Sequence, residues 1–312
     1  TALTLHAAPQ LVLDKLYHPA REHDPNFAGT AQAIGDLALS KSDYELAGRT
    51  FQLALKRHPK NADLHFGAAR AFAPSDGKTM TQHLQATLTA NPNHAGARLL
   101  MADRLIDREA YDEAETQLSK VLAVNPHHPE AWAYRSVIAH LRADTTAESK
   151  AREQALAHWK TNPRVDHLIG KKLSQKYRFA EGSAHQKQAL AFDEKYLPAK
   201  IQLAQDLLRL GFEKEGWAMT EAAHESDGYD VTTYNLVTLR DTLGKYTTLT
   251  NANFIVRMDP HEAAIYGPRA LRLLDRAHDT LCKKYDLKLE QRTTVEIFAE
   301  QKDFGVRTFG MP

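Results

Sequence analysis

Between residues 28 and 243 apolar side chains recur at three- and four-residue steps, interrupted by prolines, a pattern that predicts a succession of amphipathic helices. Residues 28–59 show the unit. Its first helix carries Ile34, Gly35 and Ala38, and its second carries Ala47, Phe51 and Ala54. Small residues stand where two helix axes must approach closely, with Phe51 as the wedge between them. Pro59 ends the unit, because proline lacks an amide donor and its ring clashes with the preceding turn.

The unit repeats along the chain. Pro59, Pro92 and Pro126 keep steps of 33 and 34, and Pro163 follows after a further 37. Gly35, Ala68, Ala102 and Ser136 keep steps of 33, 34 and 34, while Phe51, Leu84 and Leu118 keep steps of 33 and 34. Leu105, Tyr111, Ala114, Leu118 and Val121 repeat the logic of the first unit. Thr145 and Thr146 read as an expanded turn. Beyond Pro163 the pattern loosens, although Tyr196 and Tyr229, 33 apart, still mark equivalent boundaries. A period this regular belongs to an array in which each unit buries its apolar face against its neighbours. The expectation is six or seven units over residues 28–243, with residues 1–27 as a helical N-terminal cap.

The texture changes after Gly244. Phe254, Ile255 and Val256 form the first β-prone run of the chain. Residues 260–285 predict a long helix with Leu271, Leu274, His278, Leu281 and Tyr285 on one face. Residues 293–298 alternate Val295 and Ile297 with Thr294 and Glu296, as a strand does, and QKDFGVRTFG predicts another short helix. The order β-α-β-α is that of the beginning of an α/β or α+β domain. The fold class expected is therefore mainly α, a right-handed α-α solenoid over 28–243 followed by a small partial α/β segment over 244–312.

The repeat resembles the tetratricopeptide family, whose pattern is W-x2-L-G-x2-Y, then A-x3-F, then P. Gly35, Tyr44, Ala47, Phe51, Ala54 and Pro59 fit it, as do Ala102, Tyr111, Ala114, Leu118 and Pro126, with Trp132 at the Trp position. The resemblance implies a non-enzymatic interaction scaffold, presenting a concave groove to a protein or peptide segment. The run VEIFAEQKDFGVRTFG, with FIVRM and a helix ending LCKKYDL before it, resembles the start of a gluzincin-type (peptidase MA-like) zinc metallopeptidase domain. That second resemblance implies an alternative, the non-catalytic N-terminal part of a larger zinc peptidase whose H-E-x-x-H helix lies downstream. It carries over no catalytic residue.

Charge narrows the partners. Forty basic and thirty-nine acidic residues give +1, without the basic excess of a chain that tracks phosphate backbones, so no nucleic acid is expected. No stretch approaches the roughly 18 apolar residues of a membrane span, and the opening TALTLHAAPQLVL lacks the pattern of a secretory signal. The one cysteine, Cys282, cannot form an internal disulfide and reads as a half-buried core residue. His261-Glu262 begins like a zinc helix, but Ile265 stands where the second imidazole is needed. Phosphate-loop, dinucleotide and nucleophile-elbow motifs are missing. No catalytic, cofactor or metal site is expected. On the first helices, Gln32 and Asp36, His65 and Ala69, Leu99 and Asp103, and Ala133 and Val137 are expected to be exposed in pairs one turn apart. They do not match the Lys and Asn clamp that holds chaperone C-termini. Gln32, His65, Asp103, Tyr134 and His140 are the candidate groove residues.

Overall fold

Helix positions in the computed structural model, which describes residues 8–311, follow one step. First helices are α3 (Ala28–Ser40), α5 (Ala62–Phe72), α7 (Ala95–Asp107), α9 (Pro129–Leu141), α11 (Pro163–Gln175) and α13 (Leu197–Arg209). Second helices are α4 (Tyr44–Leu55), α6 (Gly77–Ala90), α8 (Tyr111–Val124), α10 (Thr145–Ala155), α12 (Phe179–Phe192) and α14 (Glu213–Ser226). Within each set, successive starts keep steps of 33 or 34, and α15 (Val231–Leu243) begins on the same step. Residues 1–7 of the expected cap lie outside the described residues. The rest is α1 (Pro9–Val12), a π-helical turn (Leu13–Tyr17) and α2 (His18–His23), anchored by buried Val12.

Capping and turn chemistry explain the step. Asp43, Asp76 and Asp144 accept the first-turn amides of α4, α6 and α10, and Asn61, His94 and Asn162 do so for α5, α7 and α11. Inside the pair turns Ser42, Glu109, Ala143, Tyr177 and Gly211 all take positive φ, 58° to 82°. From Glu109 onward these positions are 34 apart, and only one is glycine. In the second pair the two helices start 15 residues apart rather than 16, and its turn has no such residue. Between pairs, Asn91, Asn125, Asp193 and Asp227 each accept the amide two residues on, closing Asx turns.

The core repeats with the helices. The eighth residue of each second helix is in turn Phe51, Leu84, Leu118, Arg152, Gln186 and Thr220. Phe51 is fully buried between Gly35 and Gly67, and a Cβ on either glycine would come within 2.3 Å of its ring. Ala114, Leu118, Ala102 and Ile106 are likewise fully buried in the third pair. A second device recurs between pairs. His65, Arg98 and Trp132 each reach back six residues, placing a side-chain nitrogen at 3.0, 3.0 and 2.8 Å from the carbonyls of Pro59, Pro92 and Pro126.

Several sequence expectations are corrected. Pro163 does not continue the series of Pro126; it opens α11 one regular step after Pro129 opens α9. The apparent step of 37 therefore joined two different proline positions. Counted from the helix starts, the partner of Gly35 is Ala69 rather than Ala68. Thr145 and Thr146 are helical, because the Asp144 carboxylate caps α10 directly before them.

The array also returns on itself. Lys41, just past α3, pairs with Asp227, just past α14. Ser42 Oγ lies 3.0 Å from Asp230 Oδ2, and the Val231 amide donates to the Lys41 carbonyl at 2.9 Å. Within the first of two compact units, which ends at Val231, the first pair thus touches the turn after the sixth.

The second unit begins at Thr232. Its sheet runs β1 (Thr247–Thr250), β2 (Phe254–Met258), β3 (Thr293–Ile297), with β1 antiparallel and β3 parallel to β2. The strand β1, absent from the sequence expectation, forms the hairpin that Asn251 turns by accepting the amides of Asn253 and Phe254. Helix α16 (Pro260–Tyr285) links β2 to β3, and α17 (Gln301–Phe309) follows. Leu271 and Leu274 of α16 pack on Phe254, Val256 and Met258 with Val295 and Ile297. Leu281 and Tyr285, grouped by the sequence with Leu271 and Leu274 on one face, are exposed, since the helix runs on past the short sheet.

Two substitutions test this register. Ala114→Leu overfills a fully buried contact between helices and should cost about 1–3 kcal/mol in urea denaturation. Ala143→Gly relieves an exposed left-handed residue (φ 58°) and should add about 0.5–1 kcal/mol. Equal midpoints for both variants and the parent chain would contradict the placement of helices and turns.

Candidate partner-binding face

The ninth residue of each first helix forms a row through the array: Asp36, Arg70, Asp103, Val137, Lys171 and Gln205. Charges along it are matched between repeats. Arg70 Nη1 lies 2.7 Å from Asp36 Oδ1, and Gln32 Nε2 donates to Asp36 Oδ2 at 2.8 Å. Asp103 accepts Tyr134 Oη at 3.1 Å and the buried Lys172 ammonium at 2.6 Å. Lys172 also reaches Asp107 at 2.8 Å, so α11 is tied directly to α7. Burial first, and then the Asp103 carboxylate, raises the Tyr134 phenol well above its usual range. Lys171 is exposed beside this network.

The remaining candidates have partners within the repeats. His65 Nδ1 lies 2.9 Å from His83 Nδ1, and His140 sits between Glu148 at 3.0 Å and Glu181 at 3.3 Å. Ala69, Leu99, Ala133 and Val137 are corrected from exposed to buried, at 0, 6, 0 and 0 % exposure. Neighbouring first helices cross over those positions, which removes the regular two-residue lining expected. Sequence reasoning missed Arg70, Lys171 and Lys172. The repeat step applied to Asp36 reaches Arg70, and applied again through Asp103 and Val137 reaches Lys171. Among the described residues no group of three or more His, Cys, Asp or Glu side chains is placed to hold a metal ion. No helix among them is long and apolar enough to cross a membrane.

Comparison with known proteins agrees with this architecture. Residues 33–78 and 81–138 each match a model of the tetratricopeptide repeat. These segments are tetratricopeptide repeats. No curated protein matches the chain. Among solved structures, a thermophilic TPR protein of Thermus thermophilus is similar at 19% identity over 58% of this chain and 99% of its own, with a TM-score of 0.47. A tetratricopeptide repeat protein from Parabacteroides merdae is 14% identical over 71% of this chain and 88% of its own, with a TM-score of 0.49. Yeast Tom70 is 14% identical over 73% and 51%, also at 0.49. Neither matching repeat model extends past residue 138, and none of these findings supports the resemblance of the C-terminal segment to a metallopeptidase.

The tetratricopeptide pattern stops matching where the wedge of the repeat turns polar. In α10 the wedge is Arg152, which grips the fully buried Asp166 of α11 through two bonds, 2.9 and 2.7 Å. Burial pushes the Asp166 carboxyl up, but His185, at 2.8 Å, and Arg152 together hold it below the ordinary range. In α12 the wedge is Gln186, fully buried, whose Oε1 accepts from His167 Nδ1 at 2.9 Å and whose Nε2 donates to the His167 carbonyl at 3.1 Å. Burial and then Lys171 hold His167 down at about 4, so the ring is neutral at pH 7. Further along, Asp206 is 1 % exposed; its Oδ1 accepts from Gln202 at 2.9 Å, while Oδ2 has no hydrogen-bond partner. Burial raises this carboxyl to about 6, against the opposing pulls of Gln202, Ser174 and Arg209.

A buried acid raised in this way favours folding when protonated. Its contribution is complete below the ordinary carboxylate range and is lost as pH rises through about 6. Asp206→Asn removes the buried charge and should therefore stabilise the chain by about 1–3 kcal/mol at pH 8. At pH 3.5 the same variant should differ little from the parent. Urea denaturation at the two pH values checks this, and a variant less stable at pH 8 would contradict it.

Proposed function

We propose that this protein is a non-enzymatic scaffold whose repeats hold a protein or peptide segment. The observation that carries the reading is the row from Asp36 to Gln205, which, with Val137 buried, sets side chains from five of six successive repeats on one face of the array. Gln32, His65, Asp103, Tyr134 and His140 are proposed as its lining, joined by exposed Lys171. Most of these groups already bond within the chain. A partner must exchange those bonds rather than add to them, which favours modest affinity and fast release. Nothing in this reading uses a cofactor or metal.

A second reading rests on the parallel pairing of β2 with β3 across α16. Under it, that unit opens a gluzincin-type zinc domain, and the repeats position substrate or partner for a larger peptidase. Metal analysis and a peptidase assay of a chain extended past residue 312 test it; a metal-free, inactive extended chain would remove it.

For the scaffold, peptide display against the folded 312-residue chain, counter-selected on heat-unfolded chain, is the direct test. Enriched peptides should bind Lys171→Glu at least about fivefold more weakly or more tightly, according to their charge. Failure to enrich any peptide over the unfolded control would contradict the scaffold.

A further inference from the structure

Consecutive pairs meet in different ways along the array. Helices α4 and α5 pack closely, as do α12 and α13, whereas α6 and α7 stand apart, as do α10 and α11. Where α8 meets α9, Arg135 bridges to Glu115 and Ser119 at 2.9 Å each. Where α10 meets α11, the Arg152–Asp166 pair fills the space. Between α6 and α7 no hydrogen bond or ion pair crosses among the described residues. What lies there is an open recess of about 520 Å³ with an apolar floor of Met80, Leu84, Leu88, Met101 and Leu105.

One end of the recess is positive. Arg104 and Arg108 line it near the C-terminus of α7, beside the N-terminal turn of the antiparallel α6, whose backbone dipole adds positive potential. The nearby acids are already engaged: Asp107 by Lys172, Glu109 by Lys176, and Asp76 by the first amides of α6. Arg104 gives one bond to the Ala73 carbonyl and faces Asp107 at 3.6 Å, while its buried Nε has no partner. Arg108 is exposed. From Met80 to Thr89 the recess follows α6 for about 13 Å, at about 1.5 Å per residue. That length admits the apolar side chains of two helical turns.

We infer that the recess between α6 and α7 is a docking slot for an amphipathic helical segment of a partner protein, with apolar residues at i, i+3 or i+4, and i+7 and carboxylates at the end beside Arg104 and Arg108. Charge selects the occupant. A basic segment would meet two guanidiniums and a helix N-terminus, whereas an acidic end supplies a counter-charge to exposed Arg108. The inference rests on the scaffold reading but places binding away from the row of ninth residues.

The test uses peptides enriched on the full chain by display of a library of amphipathic helical sequences. Binders should carry Asp or Glu toward one end of their apolar stripe. Arg108→Glu and the slot-filling Gln85→Trp, both at exposed positions, should each weaken them by about tenfold or more. Replacing the peptide's acids by Lys should abolish binding to the parent chain and restore it to Arg108→Glu, a gain that misfolding cannot produce. Binders indifferent to both slot variants but sensitive to Lys171→Glu would overturn the slot while leaving the scaffold intact. Enrichment of basic rather than acidic helices would also overturn it. No binder at all would overturn both.

Discussion

The wedge at the eighth residue of each second helix is the contact on which the array depends. Phe51 fills the space between Gly35 of its own first helix and Gly67 of the next, so a single ring joins intra-repeat to inter-repeat packing. Because that ring sits at a fixed distance along its helix, the two neighbouring first helices must start at fixed residues. The near-constant step between helix starts is the record of this constraint. When the wedge becomes Arg152 or Gln186, the position is retained and only the means of filling it changes. Asp166 and His167 supply the polar partners of a half-buried guanidinium and a buried amide.

This substitution has a thermodynamic consequence. An apolar wedge is indifferent to pH, whereas the polar half of the array carries buried groups of opposite response. Acid protonates His167 at the expense of the fold, because its folded value, about 4, lies below the ordinary one. Over the same range acid relieves the buried charge on Asp206. The two effects oppose one another between about pH 4 and 6. The inner row is similarly balanced: Asp36 with Arg70 and Asp103 with Lys172 satisfy one another across repeats. A face that is already paired discriminates among partners by the cost of exchange, and the unbridged space between α6 and α7 stands out against it.

Much of the array is legible in the sequence because small residues, prolines and Phe51 repeat at nearly constant intervals. Gly35, Ala47, Phe51 and Pro59 identify the helices, their close approach and their end. The fourth to sixth repeats are harder to place, since Arg152, Gln186 and Thr220 are not the residues a hydrophobic pattern seeks. Pro163 compounds this by imitating Pro126 while occupying the position of Pro129. The binding face is the least legible. Exposure of Leu99 or Val137 depends on how neighbouring first helices cross, and Lys172 finds Asp103 only because the array curves. Strand β1 escapes notice for a similar reason, since TTLT has no apolar alternation and is placed by its pairing with β2 and by Leu249 alone reaching the core.

The return of the first repeat onto the turn after the sixth requires every step between them to be right, which makes it the most demanding consequence of the register. Spin labels at Ser42 and Asp230, introduced as cysteines in a Cys282→Ser background, report it by pulsed dipolar spectroscopy. Ser42 Oγ and Asp230 Oδ2 lie 3.0 Å apart in the native contact. The account predicts a single short-distance population that lengthens only on unfolding. A broad or long distance in the folded chain would show that the repeats do not follow one step to Ser226, and would contradict the wedge-set register.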